Sequence, residues 1–452
     1  MHRGGMTSPR NPQTILASLL DAALKAGADA ADALYVEGLS SSVSYRLGKL
    51  EDVERAESYD LGLRVFVGQR IAFVSSTDFS ADALAALPGR AVAMARLAPE
   101  DKFATLAPKE RLAGALPQLD LEDTTEPSAD LLIARARAVE GAALAVPGVT
   151  NSEGGGASFS RSAVALATST GFYGRYAGTS HSIGVAVLAG EGTGMERDYD
   201  QASARHAGDL RPAEAIGKSA GEKAVKRLNP RSMPSQSLPV VFHPDEAAGL
   251  LGHFTSAISG AAIARGVSFL KDRLDSNVFA PGITIIDDPH RVRGLRSKPF
   301  DGEGVANRRR ALIENGKLTS WLLDCASARQ LGLETTGHAA RGTGGPPSPA
   351  ATNLYLEAGK LSVKELIADI KQGFYVTELM GMGVNGVTGD YSRGAAGFWI
   401  ENGEIAFPVS EVTIAGNLKD MYAHLTPAND LEFRHGVNAP TVRIEGMTLA
   451  GA

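Results

Sequence analysis

The chain has 452 residues, room for two or three domains, each with its own core. Its 44% hydrophobic and 21% charged residues make a globular composition and exclude a disordered one. The net charge of −6 argues against a general nucleic-acid binder, which needs a basic footprint, and a single cysteine, Cys325, excludes an internal disulfide or a multi-cysteine zinc site.

The first stretch carries Ser18, Asp21 and Lys25 among its apolar residues, so it reads as a flexible tail over 1–11 followed by an amphipathic helix. No run approaches the ~18 apolar residues of a membrane span, and the cytoplasm is the expected location. Residues 32–47 alternate as a strand does, and 60–76 read as a hairpin turning at Gly68-Gln69. An alanine-rich helix fits 80–97. The order then recurs, with a helix at 128–145, strands near 148–159, 162–169 and 179–190, and a helix at 211–227. These elements predict an α+β N-terminal domain of helices and antiparallel strands over 12–230. A Pro- and Ser-containing linker follows at 231–238.

Residues 239–452 begin with a strand at 239–243 and a helix near 244–258, then become rich in strands and turns. Asn315-Gly316 and Asn402-Gly403 each sit between apolar runs. Asn-Gly tolerates the positive φ of a type I′ turn, so both mark hairpins. A β-rich, barrel-like or sheet-forming C-terminal domain is expected. The segment 341–351, RGTGGPPSPAA, reads as a long exposed loop.

Several motifs touch chemistry. Gly381, Gly383 and Gly386 match GxGxxG, but no helix follows to present its N-terminus to phosphate, so a turn between strands is expected. Asn385, Thr388, Asp390, Ser392 and Arg393 add polar groups there, and with Glu378 they are candidates for substrate-facing or interface positions. Ser268 and Lys271 match SxxK without its companion elements. Asp287, Asp288, Asp301 and Glu303 are read as turn and surface residues rather than as a cation site. Cys325, among apolar neighbours, is read as a small buried hydrophobe. His243 and His253 lie ten residues apart, about 80° round a helix from one another, a poor zinc spacing. Pro244 is expected to start the helix and leave His243 outside it.

The order and spacing of many short segments resemble the PmbA/TldE branch of the TldD/PmbA family, also labelled modulators of DNA gyrase. They include Ala257-Ile258-Ser259-Gly260, Ser268-Phe269-Leu270, Phe300-Asp301-Gly302-Glu303-Gly304, Thr336-Gly337 and Thr377-Glu378-Leu379. The run from Thr388 to Asn417, Asn429-Asp430-Leu431 and the ending IEGMTLAG complete the set. The resemblance implies an α+β domain followed by a β-rich one. It also implies membership of a zinc metalloprotease assembly that degrades or trims unfolded peptides. In TldD-type subunits zinc is held by His-Glu-x-x-x-His and a later cysteine. This chain reads Asp245-Glu246-Ala247-Ala248-Gly249-Leu250 and has no cysteine after Asn429-Asp430. Glu246 keeps the general-base place, while Asp245 and Leu250 replace the histidines. Leucine cannot bind zinc, and without a metal to acidify water the glutamate has no nucleophile to activate.

The resemblance therefore implies a subunit without metal or cofactor of its own, which shapes the peptide chamber beside a zinc-bearing TldD-type partner. A homodimer is the alternative assembly for the isolated chain. No membrane or direct nucleic-acid partner is expected. Two other readings remain: an autonomous metallopeptidase with a rearranged site using His243, His253 and nearby carboxylates, and a non-enzymatic interaction protein that modulates DNA gyrase.

Overall fold

Helix α1 (Pro12–Lys25) starts where the Asn11 side chain accepts from the Gln13 N–H and Pro12 supplies a helix-ready φ. The computed structural model describes residues 11–451, so the predicted tail over 1–11 lies outside the described residues apart from this cap. Strands β1 (Ala30–Arg46), β2 (Lys49–Val67) and β3 (Arg70–Ser76) follow, then α2 (Ala81–Leu97), capped by Ser80. The second round is α3 (Ala129–Leu144), β4 (Val149–Thr168), β5 (Tyr173–Ala189), β6 (Glu196–Ala204) and α4 (Ala213–Lys226). Both rounds share one antiparallel sheet of order β3-β2-β1-β4-β5-β6. The strands expected at 148–159 and 162–169 are one long strand, because β5 and β1 both pair with β4 through the expected break at 160–161.

Side chains alternate across the sheet, and all four helices cover one face. Leu16, Leu19 and Leu20 of α1 and Leu87 and Val92 of α2 pack on Tyr35, Leu61, Leu63 and Val65. Leu132 and Val139 of α3 and Ile216 and Ala220 of α4 pack on Val43, Ile183, Val185 and Val187. The opposite face meets Phe300 through Leu34, Leu166 and Phe172.

Strand β7 (Gln236–Phe242) opens the second half and leads directly into α5 (Pro244–Ala257). A small sheet of order β10-β9-β8-β13-β18 is built from β8 (Ile285–Asp287), β9 (Arg310–Glu314), β10 (Lys317–Leu318), β13 (Leu354–Leu356) and β18 (Val437–Asn438). Between them β11 (Ala339–Ala340) pairs with β12 (Ser348–Pro349). Strands β14 (Gln372–Met380), β15 (Asp390–Glu401), β16 (Glu404–Asn417) and β19 (Val442–Ala450) join β7 in the order β16-β15-β14-β7-β19. The β16–β19 pairing closes this ring into a five-stranded barrel, with β17 (Leu425–Pro427) attached to β19. The expected α+β class and barrel-like C-terminal body are therefore observed, although β7 and β14 pair in parallel. Asn315-Gly316 and Asn402-Gly403 all have positive φ and turn the predicted hairpins. Val240, Phe242, Leu250, Phe254, Phe374, Trp399 and Tyr422 lie in the main core of this half.

Two local features go beyond the expectation. Residues 341–347 are loop as expected, but they are anchored: the β11–β12 pair brackets them, Arg341 reaches the buried Asp32 at 2.8 Å, and Thr343 bonds to Asp60. Gly62 admits it: a Cβ there would stand 2.3 Å from the Thr343 carbonyl oxygen. Asp287, Asp301 and Glu303 are not surface residues but are almost fully buried. Asp301 accepts backbone N–H groups from Glu303, Val305 and Ala339, and Glu303 accepts from Cys325 N–H at 2.8 Å. Arg64 pairs with Asp32 and lies 3.8 Å from Glu303, joining the first sheet to the C-terminal half. Burial, and then Asp301, push the Glu303 carboxyl above its usual range. Cys325 is buried, as its apolar neighbours suggested.

Candidate functional site

The site grows from the β7–α5 junction. The His243 N–H donates to the Val376 carbonyl, continuing the β7–β14 ladder by one residue. Pro244 then starts the helix, and the His243 ring Nδ1 accepts from the Asp245 N–H at 3.3 Å, so His243 caps α5 from outside it. Asp245 and Glu246 fill the first turn, where the positive end of the helix dipole favours acids.

Asp245 points between two histidines: one carboxylate oxygen is 3.4 Å from His243 Nδ1 and the other 3.5 Å from His435 Nε2. The hydrogen bond from His435 leads in holding this carboxyl down at about 2, against the opposing effect of burial. Glu246, one residue on, goes the other way. Burial, with Asp245 and Glu378 nearby, pushes it up to about 7 despite the Arg393 guanidinium. Neighbouring acids are thus shifted in opposite directions, a pattern found in functional clefts. Burial lowers His243.

These groups open onto a cleft of about 450 Å³ between the N-terminal sheet and the C-terminal half. The outer strand β6 supplies Asp198 to Gln201, α4 supplies Lys223 and Lys226, and the far wall carries Arg296, Arg434 and His435. Arg227 ties its two sides together by pairing with Glu196 and Asp198 on one side and Glu378 on the other. Thr377 borders the cleft, with its Oγ1 buried and without a hydrogen-bond partner among the described residues.

The remaining positions of the degenerate motif do not fit zinc. Leu250 is 2% exposed and packs in the main core. Cys325 lies elsewhere, its N–H on Glu303. Among the described residues, no group of three or more His, Cys, Asp or Glu is placed to hold a metal ion. His243 and His253 line separate cavities.

The predicted loop residues divide. Asn385 Oδ1 accepts from the N–H groups of Val387 and Thr388, Thr388 donates to Asp390, and Asn417 donates to Asp390. Their polar groups shape the loop itself. Gly383 is required by a close approach, since a Cβ would meet the Ser392 carbonyl at 1.9 Å, and no helix follows this GxGxxG. Ser392 is exposed and donates its N–H to Gly383. Glu378 pairs with Arg227, and Arg393 lines the second cavity beside His253. His435 is the residue that sequence reasoning missed. No local motif surrounds it, and only the folded domain brings it to Asp245.

A barrel joined to a two-round α+β sheet, with the acidic start of α5 facing a cleft between them, defines the class. The chain belongs to the PmbA/TldD metallopeptidase family: residues 31–95 match domain 1, 122–228 the central domain and 235–451 the C-terminal domain of PmbA/TldA metallopeptidases. It is 41% identical to the metalloprotease PmbA of Escherichia coli O157:H7 over 425 residues, covering 94% of this chain and 92% of that one. The metalloprotease PmbA homolog of Haemophilus influenzae is 36% identical, covering 96% of this chain and 94% of that one. A crystal structure from Bacteroides thetaiotaomicron, described as a candidate modulator of DNA gyrase, superposes with a TM-score of 0.89 at 27% identity, covering 97% and 99% of the two chains. TldE from Thermococcus kodakarensis shares the fold, with a TM-score of 0.86 at 22% identity over 97% of this chain and all of that one.

Proposed function

We propose that this chain is a PmbA/TldE-type subunit of a cytoplasmic, two-component zinc metalloprotease that degrades or trims unfolded peptides. Zinc and the hydrolytic water belong to a TldD-type partner, and this chain completes the peptide chamber. The observation that carries the reading is the burial of Leu250 in the core, at a place where a metal-bearing helix needs a histidine. The cleft supports it: acids, lysines, arginines and histidines line one cavity, a surface able to engage charged side chains and the backbone of a peptide.

The test is co-expression of this chain with a TldD-type protein from the same organism, followed by gel filtration and hydrolysis of an unfolded peptide. A stable heteromer that cleaves peptide, with each chain inactive alone, is expected. Chelator-sensitive hydrolysis by this chain alone would move the reading to an autonomous metallopeptidase, and failure to form any heteromer would overturn the subunit role.

A further inference from the structure

The second cavity lies at the other end of α5. It holds about 230 Å³, smaller than sites for drug-sized ligands and suited to one side chain with its terminus. Its walls are apolar: Val267, Phe269, Val384, Leu418 and the fully outward Met382, which is 95% exposed. The frame is built, because the Phe269 N–H donates to the Gly386 carbonyl and the Val384 N–H to the Met382 carbonyl, fastening the glycine loop over the opening. Three polar side chains, His253, Ser256 and Arg393, border this apolar ring, and the Ser256 hydroxyl is spent on the Gly252 carbonyl. Arg393 spends its Nε on the Met380 carbonyl at 3.2 Å, and among the described residues its guanidinium meets no carboxylate. Its charge depresses the His253 ring below its usual range, after burial, and opposes the rise at Glu246. Arg393 thus lines the second cavity, and its charge is felt at Glu246 of the main cleft.

An unpaired guanidinium at an apolar, side-chain-sized cavity is complementary to an anion carried next to an apolar group. We infer that this cavity captures the C-terminal residue of a peptide, with an apolar side chain between Met382 and Phe269 and the terminal carboxylate on Arg393. The preceding residues then run toward Glu246 and the main cleft. This rests on the peptide-handling reading above and adds to it a recognised end and a preferred terminal residue.

The test is fluorescence anisotropy of the full-length chain with fluorescein-labelled Gly-Ala-Gly-Ala-Leu, as the free acid and as the C-terminal amide. The acid is expected to bind about tenfold or more tightly than the amide, the scale of a charged hydrogen bond. Arg393→Gln should erase that difference, Arg393→Lys should restore part of it, and Met382→Ser on the exposed loop should weaken the acid. Circular dichroism checks that each variant is folded. Equal binding of acid and amide, discrimination that survives Arg393→Gln, or no binding by the folded wild-type chain would each overturn the inference. The two proposals fail separately: a heteromer without terminus discrimination removes only this site, whereas discrimination without a heteromer removes only the subunit role.

Discussion

Replacing Glu246 by glutamine removes a charge that the folded cleft disfavours. A carboxyl raised from 4.5 to about 7 favours its neutral form in the fold. At 1.36 kcal/mol per pH unit this amounts to roughly 3 kcal/mol of folding stability, present at low pH and lost as pH rises from near 4.5 through about 7. Glu246 keeps some solvent contact, and screening reduces the effect to about 1–2 kcal/mol. Glu246→Gln cannot ionise and escapes the loss. Urea denaturation of both proteins at pH 5 and pH 8 measures it. The variant should gain about 1–2 kcal/mol over wild type at pH 8 and little at pH 5. An equal gain at both pH values, or destabilisation at pH 8, would refute the assignment of burial as the cause.

Other perturbations follow from the same packing. Asp32→Asn leaves Arg64 and Arg341 buried without their carboxylate and should cost about 3–5 kcal/mol in urea denaturation. Leu250→Ala opens a core cavity and should cost about 2–5 kcal/mol, whereas a surface ligand position would show almost no change. Gly62→Ala drives a methyl against the Thr343 carbonyl and should lift segment 341–347 from the sheet, seen as faster proteolytic nicking there. Retention of wild-type nicking would show that the contact is easily relaxed.

Features that depend on neighbours in sequence were legible. Asn402-Gly403 turns its hairpin because both residues take positive φ locally, and Pro244 starts α5 because its ring supplies the first helical φ. Features set by distant partners were not. β4 looks broken near Ser160 to Ser162, yet β1 and β5 hold it straight on either side. Arg341 lies in a glycine- and proline-rich stretch that reads as loop, until Asp32, more than 300 residues earlier, gives it a buried partner. Asp301 and Glu303 look like turn residues, and they do make turns, but Arg64 and the backbone amides let them be buried. The acidic start of α5 at Asp245 and Glu246, with Leu250 further along the helix, was legible as a local pattern. The histidine that completes the Asp245 pair was not, since His435 reaches it only through tertiary folding.

The account's central claim is that hydrolytic zinc belongs to a partner and not to this chain. Metal content of the tag-free full-length protein, purified without chelator and measured by mass spectrometry, tests it most directly. Zinc well below one ion per isolated chain, rising to about one per heteromer after assembly with a TldD-type subunit, is the predicted result. One zinc per isolated chain, lost on mutation of His243 or His435, would contradict it.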